Sequence, residues 1–272
     1  MDETRREREW TALGARGRLV VGTAVLLRTG TAGTAATAAA QATGEPHFAN
    51  ERLTYRVSVS KFGTIGRGSM TAGGPVDVRG TMTWALRFEF QTRVGPVKVV
   101  NRTESWFDAQ RGASLRFHKH EKHPLSTHDE SVELFPAERR WEAADGASGE
   151  SPTDMPLDEL SYIYVLRTLP LEVDSTYQLN RHFDAARNPT VIRVLRRDTV
   201  QTPAGTFPTI VVEMRVKDTR RYKGDGVLRF WFSDDDCRVP VRMESSLPIV
   251  GSAVLTLESR VHIAGHIAAQ PR

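Results

Sequence analysis

The sequence predicts an all-β, mainly antiparallel fold: a long curved meander sheet forming a barrel or half-barrel, with one amphipathic helix packed on it. Three observations carry this expectation. From Leu53 onward apolar and polar residues alternate with period two, the pattern of strands buried on one face. Clusters such as Pro203-Ala204-Gly205, Gly224-Asp225-Gly226 and Ser233-Asp234-Asp235-Asp236 punctuate that alternation. Their residues tolerate positive φ or bond their own backbone, as tight hairpins require. Only around Leu157, Leu160, Ile163 and Tyr164 does the apolar spacing turn helical. Many short-turned strands in succession are the mark of a meander that closes toward a barrel.

The chain opens with Arg16 and Arg18 ahead of the apolar run Leu19 to Leu27, and Ala40-Gln41-Ala42 follows as a small-x-small cleavage site. That order reads as an export leader over residues 1–42 and a linker over 43–50. The expected product is a soluble periplasmic protein starting near Thr43. Arg28 interrupts the apolar run and Asp2 to Glu9 is of mixed charge, so an uncleaved N-terminal membrane association stays open. The apolar run is too short to span a bilayer. No cysteine lies near the cleavage point to carry a lipid.

Residues 51–264 read as a single β-barrel-like domain, with 265–272 as a C-terminal tail. Leu53, Tyr55, Val57 and Val59 open it. From Val76 to Phe90 the residues Val76, Val78, Gly80, Met82, Trp84, Leu86, Phe88 and Phe90 alternate with polar ones, which reads as one strand of about 50 Å. A strand of that length implies a strongly curved wall. Further β-rich runs occupy 97–107, 113–121, 130–136, 175–183, 189–198, 206–217, 226–233, 238–246 and 250–263. The helix is placed at about 156–169: Pro156 suits its first turn, Asp158 and Glu159 complement the positive end of its dipole, and Pro170 stops it.

Composition narrows the function classes. With 39% hydrophobic and 26% charged residues the chain has a core and is not disordered. Its net charge is +4, but residues 1–42 hold six arginines against four acids, so the remainder is close to neutral. A nucleic-acid partner, which needs a dense basic face, is therefore not expected. One cysteine, Cys237, excludes an intramolecular disulfide and any Cys-based zinc site.

No recognisable catalytic constellation is present. There is no Gly-x-Ser-x-Gly elbow, and Gly63-Thr64-Ile65-Gly66-Arg67-Gly68 lies between strands rather than before a helix, so it reads as a hairpin and a bend. Asp234-Asp235-Asp236 lacks the spacing of a calcium loop, and Arg220-Arg221-Tyr222-Lys223 reads as a charged turn. His118, His120, His123 and His128 form the one metal candidate. His118 and His120 would share a strand face, while Lys119 and Lys122 oppose a cation. The aromatic inward face supplies the ligand-lining candidates Trp84, Leu86, Phe88 and Phe90, joined by Tyr164 of the helix and by Trp231 or its neighbours Phe230 and Phe232. These residues form either a solid core or the wall of an apolar pocket.

Several segments resemble the bacterial family known as domain of unknown function 3108. They are Glu51 to Tyr55 with Gly63 to Gly68, Pro156 to Tyr162 continuing to Leu166-Arg167, Thr202 to Phe207, and Phe230 to Asp235 with Arg238 to Val241. They occur in order across about residues 51–260. The resemblance implies an exported, mostly β protein with no assigned activity and no catalytic residues to carry over, and it marks 143–153 as a local insertion. By analogy of fold, a curved sheet with a helix over its mouth looks like periplasmic lipoprotein carriers and lipid-binding half-barrels. The reading is a non-enzymatic periplasmic protein without a cofactor that binds a lipid or other apolar small molecule. The alternatives are a solid structural or interaction module with a cell-envelope protein partner, and a metal-dependent enzyme using His118 and His120.

Overall fold

In the first strand, β1 (Glu51–Val59), every odd residue from Glu51 to Val59 is buried, so the period-two pattern becomes one inward face. The computed structural model describes residues 45–94, 97–123, 126–217, 225–247 and 251–263. The leader at 1–42, the Arg220 to Lys223 cluster and the tail at 265–272 lie outside the described residues. Among the described residues no helix is long and apolar enough to cross a membrane.

Successive hairpins follow as β2 (Gly63–Val78), β3 (Thr81–Val94), β4 (Val97–Asp108), β5 (Ala113–His123), β6 (Ser126–Phe135), β7 (Arg140–Ala143) and β8 (Ser148–Glu150). After the helix α1 (Ser161–Leu166) come β9 (Thr176–Leu179), β10 (Thr190–Thr202), β11 (Gly205–Lys217), β12 (Asp225–Ser233), β13 (Pro240–Leu247) and β14 (Gly251–His262). All fourteen strands form one antiparallel sheet in which β14 pairs with β1, so two meanders join at the centre and β8 and β9 form the edges. The sheet is not closed. Register shifts interrupt the ladders at Thr54/Tyr55, Val57/Ser58, Gly73/Val76, Trp106/Phe107, Val194/Arg196 and Trp231/Phe232. Extra residues of this kind bend and twist a strand.

Two expectations are corrected. The segment from Val76 to Phe90 is not one strand but the end of β2, a turn and the start of β3. Arg79 and Gly80 both take positive φ, 54° and 79°, the conformation of a two-residue hairpin loop. Val78 pairs with Thr81 and Val76 with Thr83, which puts Val76 and Val78 on the face opposite Trp84 and Leu86 and leaves Met82 exposed. Alternation runs on through a tight turn, so it cannot separate one long strand from a hairpin.

The helix is also shorter than 156–169. Leu157 is held in a parallel bridge with His182, and the Asp158 carboxylate accepts the Leu160 and Ser161 N–H groups at 2.9 Å, so α1 begins only at Ser161. Its residues Tyr162, Tyr164, Val165 and Leu166 are buried and only Ile163 is half-buried, so α1 is a plug packed into the interior of the sheet. Around it the main core draws Leu53, Tyr55, Met70, Leu86, Ile192, Val212, Phe230, Phe232 and Leu257 from seven strands.

Candidate binding regions of the curved sheet

Cross-strand pairs share a face, so the ladders show which candidates stand together. Trp84, Leu86, Phe88 and Phe90 face inward on β3, opposite Phe107, Ser105, Thr103 and Asn101 of β4. Trp84 and Leu86 are sealed. Phe48 meets Trp84 edge-on at 6.4 Å and Tyr164 at 4.9 Å, so this half of the interior is packed with the protein's own aromatic rings. Burial pushes the Tyr164 hydroxyl far above the usual phenol range.

Trp231 stands apart from the others. On β12 it alternates with Phe230 and Phe232, whose rings stack at 5.6 Å on the inward face, while Trp231 lies under the Arg242 guanidinium on the other face. Its indole N–H donates to Asp198, which holds that carboxyl below the usual range. Trp231 therefore cannot share a lining with Trp84.

Toward the Val59 end of β1 the interior is less tightly covered. Phe88 and Phe90 on β3, Val216 on β11, Leu228 on β12 and Leu255 on β14 are inward-facing yet only half-buried. Leu255 pairs with Val57 and with Met243, and Phe90 pairs with Gly68, so the belt crosses the middle of the sheet from β13 to β3. Gly66 and Gly68 make room for it: a Cβ on Gly66 would meet the Phe90 ring at 3.4 Å, and one on Gly68 the Val57 side chain at 3.5 Å.

A second region, at β4 to β6, is ionic. The nearly buried Lys119 ammonium donates to Glu159 at 2.5 Å and stands 3.8 Å from Glu121, while Arg187 donates to the other Glu159 oxygen at 2.8 Å. Asn101 donates to Glu121 at 3.0 Å. This network joins the inner face of β5 to the chain before α1 and to the turn at 185–187. The sequence signal for it was the alternation that presented His118 and His120: if they face outward, Lys119 and Glu121 face inward. His118 packs edge-on against Trp106 and His120 pairs with Asp129 at 2.5 Å. Among the described residues no group of three His, Cys, Asp or Glu side chains is arranged to hold a metal ion.

Two buried polar centres tie α1 to the sheet. Glu51 accepts from Arg167 at 2.7 and 3.2 Å and from Arg260 at 2.9 Å, and Arg167 also donates to the Cys237 carbonyl. Asp158 accepts from the Ser105 hydroxyl at 2.6 Å, while Ser114 donates to Ser161 at 2.8 Å. Burial raises the Asp158 carboxyl above its usual range despite these bonds. The serines and Asp158 are fully enclosed and have no histidine among these contacts, so the arrangement positions the chain rather than presenting a nucleophile.

The belt, the ionic region and all of the sealed core but Phe48 and Leu53 lie within the span that matches a family model, residues 54–258 of the protein family of unknown function DUF3108. The chain belongs to the DUF3108 family. No curated protein matches it. Among solved structures it is similar to a β-barrel-like protein of the domain of unknown function DUF1849 from Brucella abortus. The identity is 13%, the TM-score 0.52, and the match covers 77% of this chain and 96% of that one. It is also similar to a presumed lipoprotein from Parabacteroides distasonis, with 11% identity, a TM-score of 0.35 and coverage of 79% and 97%. A presumed exported protein with a YmcC-like fold from Bacteroides fragilis gives 12%, 0.31, 78% and 95%. The first of these likenesses extends to the fold.

Proposed function

We propose that this DUF3108 protein is an exported, non-enzymatic periplasmic binding protein that holds the apolar part of a lipid, or another apolar small molecule, in the half of its curved sheet that α1 leaves uncovered. The observation that carries this reading is the inward belt of Phe88, Phe90, Val216, Leu228 and Leu255, half-buried on a face whose positions further in, Met70, Leu86, Met214, Phe230 and Leu257, are sealed core. Apolar side chains on a concave face lower their free energy by covering one another or by taking a ligand. The lining set is thereby revised. Phe88 and Phe90 stay in it, whereas Trp84, Leu86 and Tyr164 form its floor and Trp231 belongs to another face. Export rests on the positive, apolar and small-residue order of the first 42 residues.

Native mass spectrometry of protein from a host with a bacterial envelope, with displacement of a fluorescent fatty acid, tests the reading. A bound apolar mass is expected, together with probe binding weakened about tenfold or more by Phe90→Asp. A ligand-free protein that ignores the probe overturns it. The packing of Phe48, Trp84 and Tyr164 favours a second reading, a solid module whose outer face docks an envelope protein.

A further inference from the structure

We propose that the free edge of β6 is a strand-addition site for an extended peptide segment of a partner protein. β6 pairs with β5 from Ser126 to Glu133, but on its other side β7 takes only Val132 to Phe135, supplemented by the Ala144 N–H on the Ser131 carbonyl at 2.9 Å. In an antiparallel ladder the N–H and C=O of alternate residues point to the same side. The Ser131 carbonyl points away from β5, so the N–H and C=O groups of Thr127 and Asp129 do too. Among the described residues these backbone groups have no partner.

Asp129, with its neighbours His128 and Ser131, borders a cavity of about 1080 Å³ whose far wall is Asp184, Ala186, Arg187 and Lys217. Lys119 and Glu130 line it from the inner face of β5 and β6, while His118 and His120 line it from the outer face, so the space runs around the strand edge. It is the seam at which the sheet fails to close. Beyond its lower end the two sides do meet: Leu157 bridges to His182, and Phe183 packs among Phe117, Val132 and Leu134.

The occupant follows from the main chain. Donor and acceptor pairs repeating every second residue, about 6.8 Å apart, match an extended polypeptide and no apolar small molecule. The incoming segment lays alternate side chains beside His128 and Glu130 on the inside, and the others toward His120 and Asp129 outside. The seam and the apolar belt are separate regions, so neither proposal rests on the other.

Selection of short random peptides from a display library on the full chain tests this. The expected result is a set of extended binders weakened about tenfold or more by Asp129→Pro and by Thr127→Pro. Proline removes N–H groups that the fold itself leaves unpaired, and with Asp129 only the exposed contact to His120, so both variants keep a melting temperature close to that of the wild type. N-methylation along a selected peptide is expected to abolish binding at every second residue. The proposal is overturned if no peptide is selected, if both proline variants bind as the wild type does, or if N-methyl sensitivity lacks period two. A wild-type dimer that Asp129→Pro converts to monomer makes a second copy the occupant and equally overturns it.

Discussion

Arg167 is the residue on which the plug's attachment turns. Its side chain is fully buried, its charge is met by Glu51, and its remaining donors reach the Cys237 carbonyl. Glu51→Leu leaves a guanidinium in the core without its counter-charge, so a loss of about 3–5 kcal/mol in urea unfolding is expected. Glu51→Leu combined with Arg167→Met should lose less than Glu51→Leu alone, because the fully buried guanidinium goes with its counter-charge and only the partly exposed Arg260 is left unpaired. His47 lies beside this pair. Burial, reinforced by Arg167, lowers it from the ordinary 6.5 to about 4, and its Nε2 is buried without a hydrogen bond. Below pH 6.5 the unfolded chain takes up a proton that the folded one refuses until about pH 4, so the stabilisation present above 6.5 is lost as pH falls through that window. Denaturation midpoints measured from pH 7 to pH 4 should fall, and His47→Gln should flatten the slope.

At the scale of the element, the turn from Leu157 to Ser161 decides where α1 starts. Asp158 accepts two backbone N–H groups and the Ser105 hydroxyl, so Asp158→Ala removes a helix cap and strands a buried donor, at a cost of about 2–4 kcal/mol. Asp158→Asn keeps an acceptor for Leu160 and Ser161 and should cost less, a contrast that thermal unfolding of the two variants reads directly. The β2–β3 hairpin makes the complementary point about legibility. Its loop is Arg79-Gly80, and a glycine at an even position inside an alternating run reads equally as strand. Gly80 needs φ of +79°, so Gly80→Val should cost about 1–2 kcal/mol, which was not evident while the residue stood in a continuous strand.

Across the whole molecule the interior divides into a sealed half under α1 and an uncovered half toward the Val59 end. Trp84→Ala, in the first, should cost about 3–5 kcal/mol. Phe90→Ala, in the second, removes a half-buried ring and should cost clearly less while weakening apolar probe binding. Equal stability losses at both positions would mean a uniformly solid interior. The two halves were not separable from the residues: Trp84, Leu86, Phe88 and Phe90 carry the same period, and which of them α1 covers depends on chain some 70 residues further on. Lys119 was hidden for a related reason, since its partner Glu159, itself held by Arg187, comes from a distant segment.

The sequence by itself determined the all-β class, the inward faces of strands such as β1, the family, and the position of the one helical segment. Each of these follows from local patterning, where side-chain direction repeats every two residues or from Asp158 to Ser161. Tertiary structure decided the rest. It placed Trp231 on the opposite face from Phe230, packed α1 into the interior, left the sheet open between β6 and the 184–187 turn, and paired the first strand with the last. Those outcomes depend on register, bulges and contacts between residues as far apart as Glu51 and Arg260, and a period read along the chain carries no information about what faces it across the fold.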